Sequence, residues 1–73
     1  MYAKELRELT TDELRHRLPE TRRELFNLRQ QWFAGSLQDE NRIRVVRKDV
    51  ARILTILRER ELIQEIAQEG ETA

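Results

Sequence analysis

Leu14, Leu18, Thr21, Leu25, Leu28 and Trp32 recur in steps of four, three, four, three and four, the spacing that lines one face of an α-helix. Ile43, Val46, Val50, Ile53 and Leu57 repeat in steps of three, four, three and four and predict a second helix with a matching face. Between them Gly35 supplies a residue free to adopt the left-handed conformation that ends a helix. Thr10-Thr11-Asp12-Glu13 reads as a capping box at the start of the first helix, and Ser36-Leu37-Gln38-Asp39 as another before the second. If the turn centres near Leu37, Trp32 falls opposite Ile43, Leu28 opposite Val46, Leu25 opposite Val50, Thr21 opposite Ile53 and Leu18 opposite Leu57. The pattern predicts an all-α fold, a long antiparallel two-helix hairpin. Arms of about 22 residues at about 1.5 Å each are roughly 33 Å long, so the expected object is a rod.

Past Leu57 the repeat meets the polar Arg60 and Gln64, and the apolar positions move to Leu62, Ile63 and Ile66. A third element is expected to cover them: a short N-terminal helix over about Ala3 to Glu8 that brings Leu6 and Leu9 to this end of the rod. The expected helices are 3–8, 11–34 and 39–67 within a single domain of residues 1–69, followed by a disordered acidic tail at 70–73. Pro19 removes a backbone donor and crowds the carbonyl of Arg15. The apolar phase passes through Pro19 without slipping, which favours one bent helix over two.

Composition narrows the function. The 73 residues contain no cysteine, one histidine and two glycines, which leaves neither a disulfide frame nor a set of ligands for a metal. The chain lacks an apolar run near the ~20 residues of a membrane span, and its N-terminus lacks the apolar core of a signal peptide; it reads as intracellular and soluble. His16 has no cysteine or second histidine as a companion and lies between Arg15 and Arg17, so it reads as a solvated side chain. Glu5, Glu8, Asp12 and Glu13 are explained by the dipole at helix N-termini. With no phosphate loop, no activated nucleophile and no concave architecture, neither catalysis nor a small-molecule substrate is expected, and no cofactor.

The formal net charge of zero conceals a gradient. Fourteen positive side chains, twelve of them arginine, face fourteen negative ones, yet Asn41 to Arg60 holds seven positive against two negative. Glu61 to Ala73 then holds four negative and no positive. Arg44, Lys48 and Arg52 are spaced i, i+4, i+8, with Arg47, Ala51 and Thr55 on the same side. Small residues between the cations let a polyanion approach the backbone, and the planar guanidinium forks onto phosphate where lysine offers a point charge. The plainer account is a solvated helix face, but such a face usually interleaves glutamates, and only Asp49 interrupts this one. Arg15, Arg22 and Arg29 form a weaker row, diluted by Glu20 and Glu24. Both rings sit beside the turn, where an exposed one can stack on a base; Trp32 keeps the seam spacing and reads as core, while Phe33 lies off the seam and is left open.

Four ordered blocks carry a family resemblance: Ala3-Lys4-Glu5-Leu6-Arg7-Glu8-Leu9, Glu24-Leu25-Phe26-Asn27-Leu28-Arg29, Gly35-Ser36-Leu37, and the run from Arg44 to Ile53. Together they resemble the bacterial family of large-subunit ribosomal protein twenty-nine. The resemblance implies a helical hairpin with a short N-terminal helix that binds large-subunit rRNA near the polypeptide exit tunnel. It also implies ribosomal protein twenty-three as a neighbour, nascent-chain chaperones and targeting factors nearby, and a place in the cytoplasm, in a bacterial or organellar ribosome. Carried over residue by residue, the rRNA contacts fall to Arg29, Ser36, Leu37, Arg44, Arg47, Lys48 and Arg52, with Asn27 and Thr55 as additions. Pro19, Trp32-Phe33 and the acidic extension after Glu61 depart from the family pattern. Acidic residues are repelled by phosphates, so the extension is expected to face solvent or an exit-site partner. The reading from a different class is a protein-interaction module that dimerises through its leucine seam.

Overall fold

The computed structural model describes residues 2–72, with side chains described through Gly70. Among these residues there are three helices and no strand: α1 (Ala3–Arg7), α2 (Thr11–Phe33) and α3 (Asn41–Thr72). The two long helices lie against each other as an antiparallel hairpin, and α1 packs on α3 at the open end. The principal extents are 57 × 20 × 16 Å and the radius of gyration is 16.0 Å, against about 11 Å for a compact domain of this length. The accessible surface of 6021 Å² exceeds the roughly 4,800 Å² expected of a compact protein of this mass. The molecule is a rod.

Each boundary has a local cause. At the start of α2 the Glu13 amide donates to Thr10 Oγ1 at 3.1 Å and the Thr10 amide to Glu13 Oε2 at 3.2 Å, the reciprocal box the sequence predicts. At its end Gly35 takes φ +74°. The Gly35 amide then donates to the Trp32 carbonyl and the Ser36 amide to that of Gln31, the paired bonds of a Schellman closure. Ser36 therefore finishes α2 and does not cap α3, since its hydroxyl also donates to the Gln31 carbonyl at 3.3 Å. The second cap is Asp39, whose Oδ1 accepts from the Asn41 amide at 3.0 Å. Because Asp39 stands outside as the cap, α3 begins at Asn41, two residues later than expected. Pro19 stays inside one continuous helix. It is exposed, so the Arg15 carbonyl that lacks a donor lies on the side that water reaches.

The buried core is small and sits at one end. Leu6, Leu14, Ile53 and Ile56 form its cluster, with Leu9, Leu18 and Leu57 packed around it. Towards the turn Val46 is buried, while Ile43, Leu25 and Leu28 are half-buried. Two polar residues enter the seam: Thr21, whose hydroxyl donates to the Arg17 carbonyl at 2.8 Å, and Asp49, whose Oδ1 lies 3.5 Å from Arg52 Nη1. Arg60 closes the open end. Its Nη1 donates to Thr11 Oγ1 at 3.1 Å and its Nη2 to the carbonyls of Arg7 and Leu9 at 3.1 and 2.8 Å. Arg7 also faces Glu59 at 3.7 Å, and Arg42 pairs with Glu24 farther up the rod.

Two expectations at the C-terminal end differ from the structure. Leu6 and Leu9 do reach the open end, but they pack with Ile53 and Ile56; Leu62, Ile63 and Ile66 stay exposed. At five residues α1 spans only about 7.5 Å and does not extend past Arg60. The residues at 70–72, expected to be disordered, continue α3 to Thr72, while Ala73 lies outside the described residues. The glutamates and glutamines beyond Arg60 are good helix formers. Arg58 reinforces them, 3.0 Å from Glu61 and 3.9 Å from Glu65.

Ile53→Ala, which opens a cavity in the middle of the cluster, is expected to cost about 2–5 kcal/mol in urea denaturation. Gly35→Ala, where a Cβ would meet nothing within 4 Å, carries only the left-handed backbone cost of about 1–2 kcal/mol. Equal losses from the two would show that the core is not where the stability resides.

Candidate nucleic-acid interface

Because α3 turns its seam residues inward at Val46, Ile53 and Ile56, helical periodicity puts Arg44, Lys48, Ala51 and Thr55 on the opposite, outward side. Arg44, Arg47, Lys48 and Ala51 line one shallow hollow on that side. Ala51 places only a methyl group between the cations. Thr55 is exposed one turn farther on, its hydroxyl donating to the Ala51 carbonyl at 2.8 Å.

A second groove, about 400 Å³, joins the two helices next to the turn, with Arg29, Trp32 and Phe33 of α2 facing Ile43, Arg44 and Arg47 of α3 and Glu40 on its wall. Arg44 and Arg47 belong to both hollows, so the surface runs continuously from the aromatic tip down the outer face of α3. Trp32, expected in the core, is 47 % exposed and Phe33 is 81 % exposed. Ile43, opposite Trp32 in the expected register, is only half-buried, and the indole lies on the groove wall. Phe26, at 60 % exposure, was not among the residues picked out from the sequence. It stands seven residues before Phe33, two turns along the same side, and that spacing was the available signal.

The site residues expected from the sequence do not all gather here. Arg29, Arg44, Arg47 and Lys48 do. Ser36 and Leu37 lie in the adjoining turn, with Ser36 bonded to Gln31 and Leu37 half-buried. Asn27 is exposed on α2 and lines neither hollow. Arg52 sits at the edge of the stripe and reaches the buried Asp49, so its guanidinium is partly engaged within the fold. Asp49, which looked in the sequence like an interruption of the basic stripe, is instead a seam residue. Among the described residues no group of three His, Cys, Asp or Glu side chains is placed to hold a metal ion. Among them, too, no helix is long and apolar enough to cross a membrane.

The fold is an all-α, rod-like helical hairpin that carries cationic and aromatic side chains at its tip. The family described as Ribosomal L29 protein matches residues 4–60. Large ribosomal subunit protein uL29 of Saccharopolyspora erythraea is 56 % identical over 68 residues, 93 % of this chain and 85 % of that protein. The uL29 proteins of Mycobacterium avium and Corynebacterium urealyticum are 59 % and 58 % identical over 58 and 60 residues. Those matches cover 80 % and 82 % of this chain and 75 % and 78 % of the respective relatives. The chain belongs to the ribosomal L29 family.

Arg52→Ala, which withdraws a cation from the buried Asp49, is expected to lower stability by up to about 1 kcal/mol. Lys48→Ala, on the outer face, is expected to stay within about 0.5 kcal/mol of the wild-type chain. Thermal melting followed by circular dichroism separates the two; equal melting points would put Arg52 with the outward cations.

Proposed function

We propose that the protein is a structural, non-enzymatic constituent of the large ribosomal subunit, and that its tip groove and the outer face of α3 bind large-subunit rRNA. Family membership supports the first half. The observation that carries the second is the convergence of Arg29, Arg44, Arg47 and Lys48 on one surface beside exposed aromatic rings. In this reading the cations neutralise phosphates and release counterions, while Phe33 and Trp32 offer faces for unpaired bases. The stiffness of the hairpin holds these groups at fixed spacing, so that one protein bridges RNA segments that repel one another. Its place is near the polypeptide exit tunnel of a cytoplasmic ribosome, beside ribosomal protein twenty-three and within reach of exit-site factors.

Dimerisation through the leucine seam finds no support in the packing. Leu14, Val46 and Ile53 are buried within a single chain, so that seam is already occupied.

Binding to a large-subunit rRNA transcript against excess tRNA, at about 50 and 200 mM salt, tests the reading. Arg44→Glu with Arg47→Glu is expected to abolish specific binding and incorporation into subunits without lowering the melting temperature. Normal incorporation of that variant would refute the assignment of this face. Phe33→Ala is expected to weaken rRNA binding by about 1–3 kcal/mol through lost stacking while leaving the salt slope unchanged. An altered slope with unchanged affinity at low salt would remove the ring from the interface.

A further inference from the structure

Arg60, bonded to Thr11 and to the carbonyls of Arg7 and Leu9, marks the level at which α2 begins. Residues 61–72 of α3 therefore run on without a companion helix, for about 18 Å at ~1.5 Å per residue. On this overhang Leu62 is 41 %, Ile63 67 % and Ile66 67 % exposed. At about 100° per residue Leu62, Ile66, Ile63 and Ala67 form one stripe, centred roughly 110° away from the line of Val46, Ile53 and Arg60. The stripe is a second apolar face and not a continuation of the hairpin seam. Ile63 also opens into a groove of about 470 Å³ between the overhang and the first turn of α2, whose walls include Leu57, Asp12, Arg15 and Glu61.

Charge identifies what covers the stripe. Glu61, Glu65 and Glu69 follow one another at i, i+4 and i+8 along its edge, and from Glu61 to Ala73 the sequence has four glutamates and no cation. Arg58 pairs with Glu61 and Glu65 at the inner end, which leaves the segment acidic. An RNA backbone is repelled by such a row, and a second copy would bring one row of carboxylates against another. The family model ends at residue 60, whereas the match to the Saccharopolyspora erythraea relative takes in 93 % of this chain and so includes Leu62, Ile63 and Ile66.

We propose that Leu62, Ile63 and Ile66 dock a cationic amphipathic helix of another protein, whose apolar residues cover the stripe and whose lysines or arginines lie along Glu61, Glu65 and Glu69. The recognition is helix against helix, with apolar anchors setting the register and the carboxylate row selecting the sign of the partner's charge.

Fluorescence anisotropy tests it with a labelled peptide of about 18 leucines and lysines, apolar at i, i+3, i+4 and i+7, and a scrambled peptide of the same composition. The patterned peptide is expected to bind the full chain. Leu62→Gln with Ile63→Gln and Ile66→Gln is expected to weaken it at least about tenfold, with the melting transition unchanged because these side chains lie outside the core. Glu61→Gln with Glu65→Gln and Glu69→Gln is expected to weaken binding and to flatten its salt dependence. Equal affinity for the scrambled peptide, or full affinity in the apolar triple variant, would overturn the proposal. So would sedimentation showing that the wild-type chain self-associates through the stripe, or loss of rRNA binding in the apolar variant.

Discussion

Everything else in the molecule hangs on the closure of the open end of the hairpin. Two helices side by side bury a single seam, and most of what this chain buries completely is gathered where α1 crosses α3: Leu6, Leu14, Ile53 and Ile56. A helix of five residues has no stability of its own, since nucleation is costly and the chain is too short to recover it by propagation. It exists because Leu6 is inserted into the cluster and because Arg60 holds the carbonyls of Arg7 and Leu9 together with the Thr11 hydroxyl. That one guanidinium joins the end of α1, the start of α2 and the body of α3. Farther up the rod the two long helices meet along a seam that contains the polar Thr21 and Asp49.

This distribution separates stability from recognition along the length of the rod. The packed cluster is at the open end, whereas the exposed aromatic residues and the arginines of the tip groove lie beside the turn. At the tip Leu25, Leu28 and Ile43 are only half-buried, and little apolar packing holds the helix ends in place. A polyanion seated on Arg29, Arg44 and Arg47 would span both helices just where their mutual burial is weakest. Binding to the folded form alone then adds stability by mass action, and it adds it at the end the core does not reach.

The sequence carried most of this architecture because its signals were local or periodic. The Thr10–Glu13 box, the left-handed Gly35, the two apolar repeats and the docking of Leu6 and Leu9 were all legible, as was the outward set Arg44, Arg47 and Lys48. What escaped depended on tertiary packing. Asp49 occupies a seam position while looking by type like part of the charged face, and its buried carboxylate lies beside Arg52. Trp32 keeps the seam spacing, yet it sits in the last turn of α2 beside a groove, and how far the partner helix covers a position at the end of a seam is not encoded by spacing. Ser36 and Asp39 are both good capping residues, and the Schellman closure decided between them by using the Ser36 amide to finish α2. The length of α3 was missed because a terminus with nothing to bury was expected to be disordered, whereas glutamates and glutamines, good helix formers, carry the helix on to Thr72.

The charge gradient along α3 is not explained by the needs of the helix. A helix dipole favours carboxylates at the N-terminus and cations at the C-terminus, and α2 follows that rule with Asp12 and Glu13 in its first turn. In α3 the first turn has no acidic residue and the last no basic one; Arg42 and Arg44 stand near its start and Glu69 near its end. Each reversed charge costs up to about 0.3–1 kcal/mol where it is close to a terminus. The pairs the fold obtains in return include Arg42 with Glu24 and Arg58 with Glu61 and Glu65. The two proposed contacts would account for an arrangement that works against its own helix. Placing the cations against RNA and the carboxylates against a basic protein lets one continuous helix keep two partners of opposite charge at opposite ends, and a single sign of charge along α3 would not do so.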